Sequence, residues 1–290
     1  MPTPAPETGS RPSRPTAALR HALETIRWGE RFRDRALIAS YYGLLVSAQG
    51  LRPRRSELRE MHPKFWLADV TATTPIGRFR CRGGTTDFDI VNPHYESALV
   101  HEIGERLSKA GSRPYAFVDV GAHIGKYTIH AGRILRRRGS VIAVEPDRDN
   151  YAALQANLLL NGLDNVLTHN VGCWDSEGVR DLHRRRGNLG AHSFVNGVGG
   201  EALPAPMRTL DNLLREDEVH RVEILKVDVE RAEEHVFRGA ARLLSQSPPP
   251  TVFFEELGDP DTAGSVRYLR ELGFSVRPLE GVTYIAEKLK

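Results

Sequence analysis

The sequence predicts a doubly wound α/β sheet, mostly parallel and closed by an antiparallel C-terminal hairpin strand, behind a helical N-terminal extension. Three observations predict it. From Pro114 onward, short apolar runs alternate with helical patterns, which is how a parallel sheet covered by helices looks in a sequence. The run Tyr115–Asp119 leads into a glycine turn, Gly121 to Gly125, and a helix starts directly after it. The last two runs, Phe274–Pro278 and Val282–Glu287, are separated by a few residues including Gly281, a spacing that allows only a hairpin.

The elements follow in order. Residues 1–15 hold five prolines and almost no apolar side chains, so they cannot offset the entropy of ordering and read as a disordered tail. Leu19, Leu23 and Ile26 recur at helical spacing and predict an amphipathic helix. The apolar segment Ala36–Leu51 after it, with arginines on both sides, reads as a helix packed against the rest of the chain. Lying on a membrane surface is its alternative. Between Phe65 and Pro93 the pattern turns strand-like, with Gly77, Gly83 and Gly84 marking turns around Phe79–Cys81 and Phe88–Val91. Tyr95–Ala110 reads as a helix.

Lys126–Arg138 is helical and stopped by Gly139. Val141–Glu145 is the next strand, followed by a helix that Asp147 can cap and Asn161-Gly162 can end. Val166–Asn170, Val222–Asp228 and Thr251–Leu257 complete the parallel set. Such sheets bind ligands at the carboxyl ends of their strands, and there the functional residues are expected.

Composition narrows the classes. A chain of 290 residues with 40% hydrophobic content is too rich in core formers to be disordered. Its net charge of +3 does not imply nucleic acid, and residues 1–60, with eleven arginines and six acidic residues, carry all of the excess. Cys81 and Cys173 have neither disulfide-framework nor zinc spacing, which fits a reducing, cytoplasmic compartment. No run reaches the roughly 18 to 20 apolar residues of a spanning helix, and the N-terminus lacks a signal-peptide core, so a soluble protein is expected.

The most informative stretch is FVDVGAHIGKYT, residues 117–128. Its weight comes from Glu145, at the end of the next strand, where a carboxylate can accept hydrogen bonds from both ribose hydroxyls of a nucleoside cofactor. The spacing G-x-x-x-G lacks the middle glycine that admits a pyrophosphate. Asp119, next to the turn, suits an ammonium group, and S-adenosylmethionine carries one. Asp119 is expected to contact the methionyl end or to order the turn, Gly121 and Gly125 to make room, and Glu145 to hold the ribose. His123 lies inside the same turn.

These residues resemble the FkbM family of methyltransferases. FVDVGAHIGKYT looks like that family's first motif, and VIAVEPDRDNYAALQANLLLNGLDNV (141–166) like its second strand and helix. MRTLDNLL (207–214) and LKVDVERAEEHVFRGA (225–240) are similar to the remaining signature, so the resemblance covers about residues 80–257. It implies a class I, Rossmann-like methyltransferase fold. It also implies methyl transfer from S-adenosylmethionine, usually to an oxygen of a sugar, lipid or polyketide-like small molecule. Two positions depart from the family pattern: His123 stands where asparagine is usual, and Arg231 where glycine is usual. The first would alter contacts to the methionyl end, and the second would put a long cation at the mouth of the site. On this reading 16–94 is an extension acting as an acceptor-side lid, and 95–290 is the cofactor-binding catalytic domain.

Methyl transfer to a hydroxyl needs alignment of two partners and removal of a proton. Asp228 and Glu230, after the fourth strand, are the candidate catalytic residues, with Asp228 as the base; Glu255 and Glu256 are the weaker candidates. Several acids could instead hold a divalent cation, but no metal ligand set is assigned. His130 and His235 read as helix residues without a role in catalysis. His183 and His192 bracket Arg184-Arg185-Arg186 in an expected loop that could grip an anionic acceptor. The rival readings are a methyltransferase for RNA or protein, disfavoured by the lack of aromatics among the arginines, and an inactive cofactor-binding module.

Overall fold

The computed structural model describes residues 14–50, 68–109, 115–185, 192–195 and 200–288. The expected tail lies outside them except for Arg14 and Pro15, which already belong to helix α1 (Arg14–Arg27). Helix α2 (Phe32–Gly50) follows, and its Ile38 and Tyr41 are buried. Strands β1 (Val70–Thr74) and β2 (Gly77–Cys81) form an antiparallel hairpin.

Phe88–Val91, expected to be strand-like, instead forms part of a short helix, α3 (Asp87–Ile90). The cause is local. The Thr85 hydroxyl accepts the Asp87 amide at 3.1 Å, while the buried Asp87 carboxylate takes the Arg82 amide at 2.9 Å and its guanidinium at 2.8 Å. These short-range bonds tighten the chain where apolar alternation alone reads as extended. Helix α4 (Ser97–Ser108) begins two residues later than expected.

The main sheet contains β3 (Tyr115–Val120), β4 (Gly139–Val144), β5 (Val166–His169), β9 (Ile224–Val227), β10 (Thr251–Glu255), β11 (Ser275–Glu280) and β12 (Thr283–Glu287). Their order is β11-β12-β10-β9-β3-β4-β5, with β12 antiparallel to both of its neighbours and the other pairs parallel. Helices α5 (Lys126–Leu135) and α6 (Arg148–Asn161) follow β3 and β4. Asp147 caps α6 by accepting the amides of Asp149 and Asn150, and Gly162 ends it in the left-handed conformation, as expected from the sequence.

Alternation along the strands sorts the layers. Ala116, Val118 and Val120 face one core, which α7 (Leu210–Glu216), α8 (Glu233–Arg238), α9 (Ala241–Leu244) and α10 (Gly264–Glu271) complete. Phe117, Val141 and Phe253 face the other, against α4 and α5. The hairpin and α2 share a third core with Ile124, Ile129, Leu154 and Leu158. Asn157 and Asn161 of α6 fix the hairpin there, their amide oxygens accepting the backbone N–H groups of Arg80 and Arg78 at 2.7 and 2.9 Å.

The expected loop between β5 and β9 is largely a second, three-stranded sheet of β6 (Gly172–Cys173), β7 (Gly178–Arg185) and β8 (Gly200–Arg208), in the order β6-β8-β7. His183 and Arg184 therefore lie on a strand; Arg186 is outside the described residues. Charged residues run along β7, and Pro204 and Pro206 stand on β8 where only β7 pairs with it, a composition that in a sequence looks like a loop.

Candidate functional site

The strand order reverses between β3 and β9, and a cavity of about 1090 Å³ opens over the carboxyl ends of the strands around that point. Gly121, Ala122 and His123 of the glycine turn line it, whereas Gly125 does not and packs towards Leu154 and Ile129. Gly121 has φ +79° and Gly125 φ +95°, a left-handed conformation that glycine adopts without strain. A side chain at Gly121 would collide with the Asp228 carbonyl oxygen, and one at Gly125 would come within 2.6 Å of Leu154. His123, between them, also has positive φ, +51°, which accounts for the asparagine usual there, since both residue types tolerate this region better than most.

Glu145 lines the cavity at the end of β4 and is 5% exposed. One carboxylate oxygen accepts the His123 amide at 2.8 Å and the other the Asp147 amide at 2.9 Å. Burial nevertheless pushes its pKa up to about 7. The His123 ring lines the cavity too; burial lowers its pKa to about 4, so it is neutral.

Asp119 is fully buried and does not line the cavity. Its carboxylate accepts the Thr128 hydroxyl at 2.6 Å and faces Lys226 Nζ at 3.2 Å. Of its two expected roles, only ordering the turn is compatible with this placement. Lys226 is its direct register partner on β9; it donates to the Gly121 carbonyl at 3.0 Å and lies 3.4 Å from the Asp228 carboxylate. One buried ammonium group thus ties the turn, β3 and β9 together.

Asp228, Glu230 and Glu255 all line the cavity. Burial raises the pKa of Asp228, an effect that Lys226 partly offsets. The charge of Asp228, then burial, pushes Glu255 up to about 10, so it carries its proton at neutral pH and hydrogen-bonds Glu96. Glu256 is elsewhere, accepting the Ser265 hydroxyl. Arg231, expected at the mouth of the site, is exposed and not among the lining residues. Its φ of +81° supplies the physical reason that glycine is usual there. Glu233, 4% exposed, holds this turn by accepting the amides of Val229 and Arg231 at 3.2 and 3.4 Å.

Several charged lining residues escaped the sequence reading, Glu96, Lys126 and Lys226 among them. Lys126 donates to the Tyr95 carbonyl at 2.6 Å and lies 3.4 Å from the Glu96 carboxylate, which also accepts the Tyr127 hydroxyl at 2.6 Å. Burial lowers Lys126 to about 8. Lys226 had a legible signal, since a lysine inside the apolar run Ile224–Val227 must find a buried partner. Glu96 and Lys126 had none.

The basic loop does not behave as expected. Arg184 is bound to Asp147 at 2.8 Å and to Asp149, so it grips the α6 N-terminus. His192 lines the cavity beside Asp147, at 3.8 Å. His235 is outside the cavity, paired with Asp175 and stacked on Trp174, and His130 is bound to the Val100 carbonyl within the core. Residues of the extension, among them Tyr41, Tyr42 and His94, form part of the cavity wall. Among the described residues no group of three or more His, Cys, Asp or Glu side chains is arranged to hold a metal ion, and no helix is long and apolar enough to cross a membrane.

Comparison with known proteins adds the following. The family model described as Methyltransferase FkbM domain matches residues 119–276, more than half of the chain. Among solved structures, a methyltransferase FkbM from Methylobacillus flagellatus KT is 14% identical with a TM-score of 0.46, covering 93% of this chain and 58% of its own. The present chain thus spans little more than half the length of that protein. A precorrin-6y C5,15-methyltransferase from Geobacter metallireducens GS-15 is 13% identical with a TM-score of 0.42, covering 66% of this chain and 88% of its own. A ribosomal protein L11 methylase from Lactobacillus delbrueckii subsp. bulgaricus is 16% identical with a TM-score of 0.39, covering 68% and 80%. No curated protein matches. With that family model matching more than half of its length, the chain belongs to the FkbM methyltransferase domain family.

Proposed function

We propose that this protein is an S-adenosylmethionine-dependent O-methyltransferase acting on a hydroxyl of a sugar, lipid or polyketide-like small molecule. The observation that carries the reading is the buried Glu145 carboxylate lining the same cavity as Gly121, Ala122 and His123 of the turn, at the strand ends of a sheet whose order reverses there. The Gly121 backbone lines the cavity where a cofactor can approach, and Glu145 can accept two ribose hydroxyls. When bound, the cofactor supplies a methyl group on a sulfonium centre.

The remaining work falls to the chain. Asp119 holds the turn from behind the cavity, and Lys226, on the cavity wall, ties the turn to β9. Asp228 takes the proton of the acceptor hydroxyl on its carboxylate; its burial makes it a stronger base than an exposed aspartate, and Lys226 stabilises it in the ionised form. Glu255, protonated beside it, donates its one O–H to Glu96 and fixes that carboxylate in the wall. Glu230 completes this wall. The extension, through Tyr41, Tyr42 and His94, closes the acceptor side as a lid over the 95–290 domain.

Calorimetry is expected to show binding of S-adenosylmethionine or S-adenosylhomocysteine and none of NAD. Labelled cofactor is then incubated with separate lipid, glycan, small-molecule and RNA pools. Transfer into a small-molecule, glycan or lipid pool, abolished by Asp228→Asn with cofactor binding intact, supports the reading. Transfer to RNA only, or to no pool, overturns it.

A further inference from the structure

Resting on the cofactor reading above, we infer that the extension contributes to cofactor recognition through Thr86, whose hydroxyl, together with the His123 imidazole, forms the second half of the cradle for the nucleoside sugar. The family match begins at residue 119, so Thr86 lies outside it.

Thr86 has no structural task for its hydroxyl. It occupies the N-cap position of α3, where threonine ordinarily accepts a helix amide, yet it makes no side-chain cap bond. The neighbouring Thr85 does that work instead. Among the described residues, Thr86 Oγ1 is buried without a hydrogen-bond partner, and so are both ring nitrogens of His123. Thr86 and His123 both line the cavity. Buried polar atoms are nearly always satisfied, and leaving one bare is costly. At a ligand site the ligand supplies the missing partner.

Their surroundings say what that ligand group is. Arg82 clasps Asp87 with two nitrogens, at 2.8 and 2.9 Å, and donates to Asn150 Oδ1 at 2.9 Å. Asn150 hydrogen-bonds Glu145 in turn. The His123 amide is on Glu145 and its ring is 3.8 Å from Asp87. Thr86 is therefore tied through its neighbour Asp87 to the acid that holds the ribose. An anionic group would meet the Glu145 carboxylate there, while Asp87 and Asp147 are already paired with Arg82 and Arg184. A neutral imidazole offers one donor and one acceptor, and a hydroxyl offers both, which suits the hydroxyls of a sugar.

The test uses the full chain and two probes, S-adenosylhomocysteine and 5′-methylthioadenosine, the second lacking the amino-acid end. Thr86→Val should weaken both by the same factor, about three- to tenfold, with a melting temperature of the free protein no lower than the parent's. Thr86→Ser should retain the parent affinity, and the pair Thr86→Ala and Thr86→Ser gives the same reading should valine crowd the site. Parent affinity for both probes in Thr86→Val, or a loss confined to S-adenosylhomocysteine, overturns the assignment. If the unaltered protein binds neither probe, the cofactor reading itself falls.

Discussion

At the β9–β10 end of the cavity, Lys126 and Lys226 each meet a carboxylate and a backbone carbonyl, and Glu96 is shared by a lysine, a tyrosine and Glu255. At the β4 end, among the described residues, His123 and Thr86 keep buried polar atoms without hydrogen-bond partners, and no cation pairs with the Glu145 carboxylate. The difference separates two tasks. A saturated ion network fixes the geometry and proton affinities of its members, and each loss within it is felt by the fold. Bare groups cost stability until a ligand arrives, so their loss is felt by binding.

The largest effect expected from that contrast is on stability. Lys226→Met leaves Asp119 buried without its cation and should cost about 3 to 5 kcal/mol. Urea unfolding measures it, and a midpoint close to the parent's would show that the network does not hold the turn.

Next comes Glu145, where the effect should move from fold to ligand. Glu145→Gln is expected to weaken S-adenosylhomocysteine by about 1.5 to 3 kcal/mol, on the order of tenfold to a hundredfold. The pH dependence has a definite sign. The ionised carboxylate accepts both ribose hydroxyls, whereas with a pKa of about 7 the free site is increasingly protonated below neutrality. Affinity should therefore fall by up to about tenfold per pH unit below 7, with proton release on binding, and level off above it. Calorimetry at several pH values checks this. A flat profile in the parent, or an unflattened one in Glu145→Gln, contradicts the role.

The smallest effect belongs to a residue outside both ends. Arg231→Gly removes the strain of a left-handed arginine, about 1 to 2 kcal/mol, but adds the entropy of a glycine in the unfolded chain. A net stabilisation below about 1 kcal/mol is expected, with unchanged cofactor affinity because the side chain does not line the cavity. Altered affinity would mean that residue 231 belongs to the site after all.

Much of this was legible from residues alone. The seven strands of the main sheet, the capped helix after Asp147 and the hairpin at the end were written in periodicity and turn chemistry, which act over a few residues. So was the pairing of a glycine turn with an acid at the next strand end. The second sheet was not, because the prolines of β8 and the charged residues of β7 mask the short alternation that buries Ala205 and Met207. Nor was α3, where Asp87 and Arg82 outweigh the apolar pattern.

Local forces are encoded by neighbours in the chain, so the sequence by itself determined the α/β class, the strand set and the glycine turn. Only the tertiary structure decided which charges meet. Asp119 and Lys226 stand 107 positions apart and become partners because β3 and β9 are adjacent in register. Glu96 reaches Glu255, and Thr86 joins the wall that holds Glu145, for the same reason. A buried charge must be compensated wherever it lies, but which group compensates it is fixed by how strands and helices pack, and no local pattern carries that information.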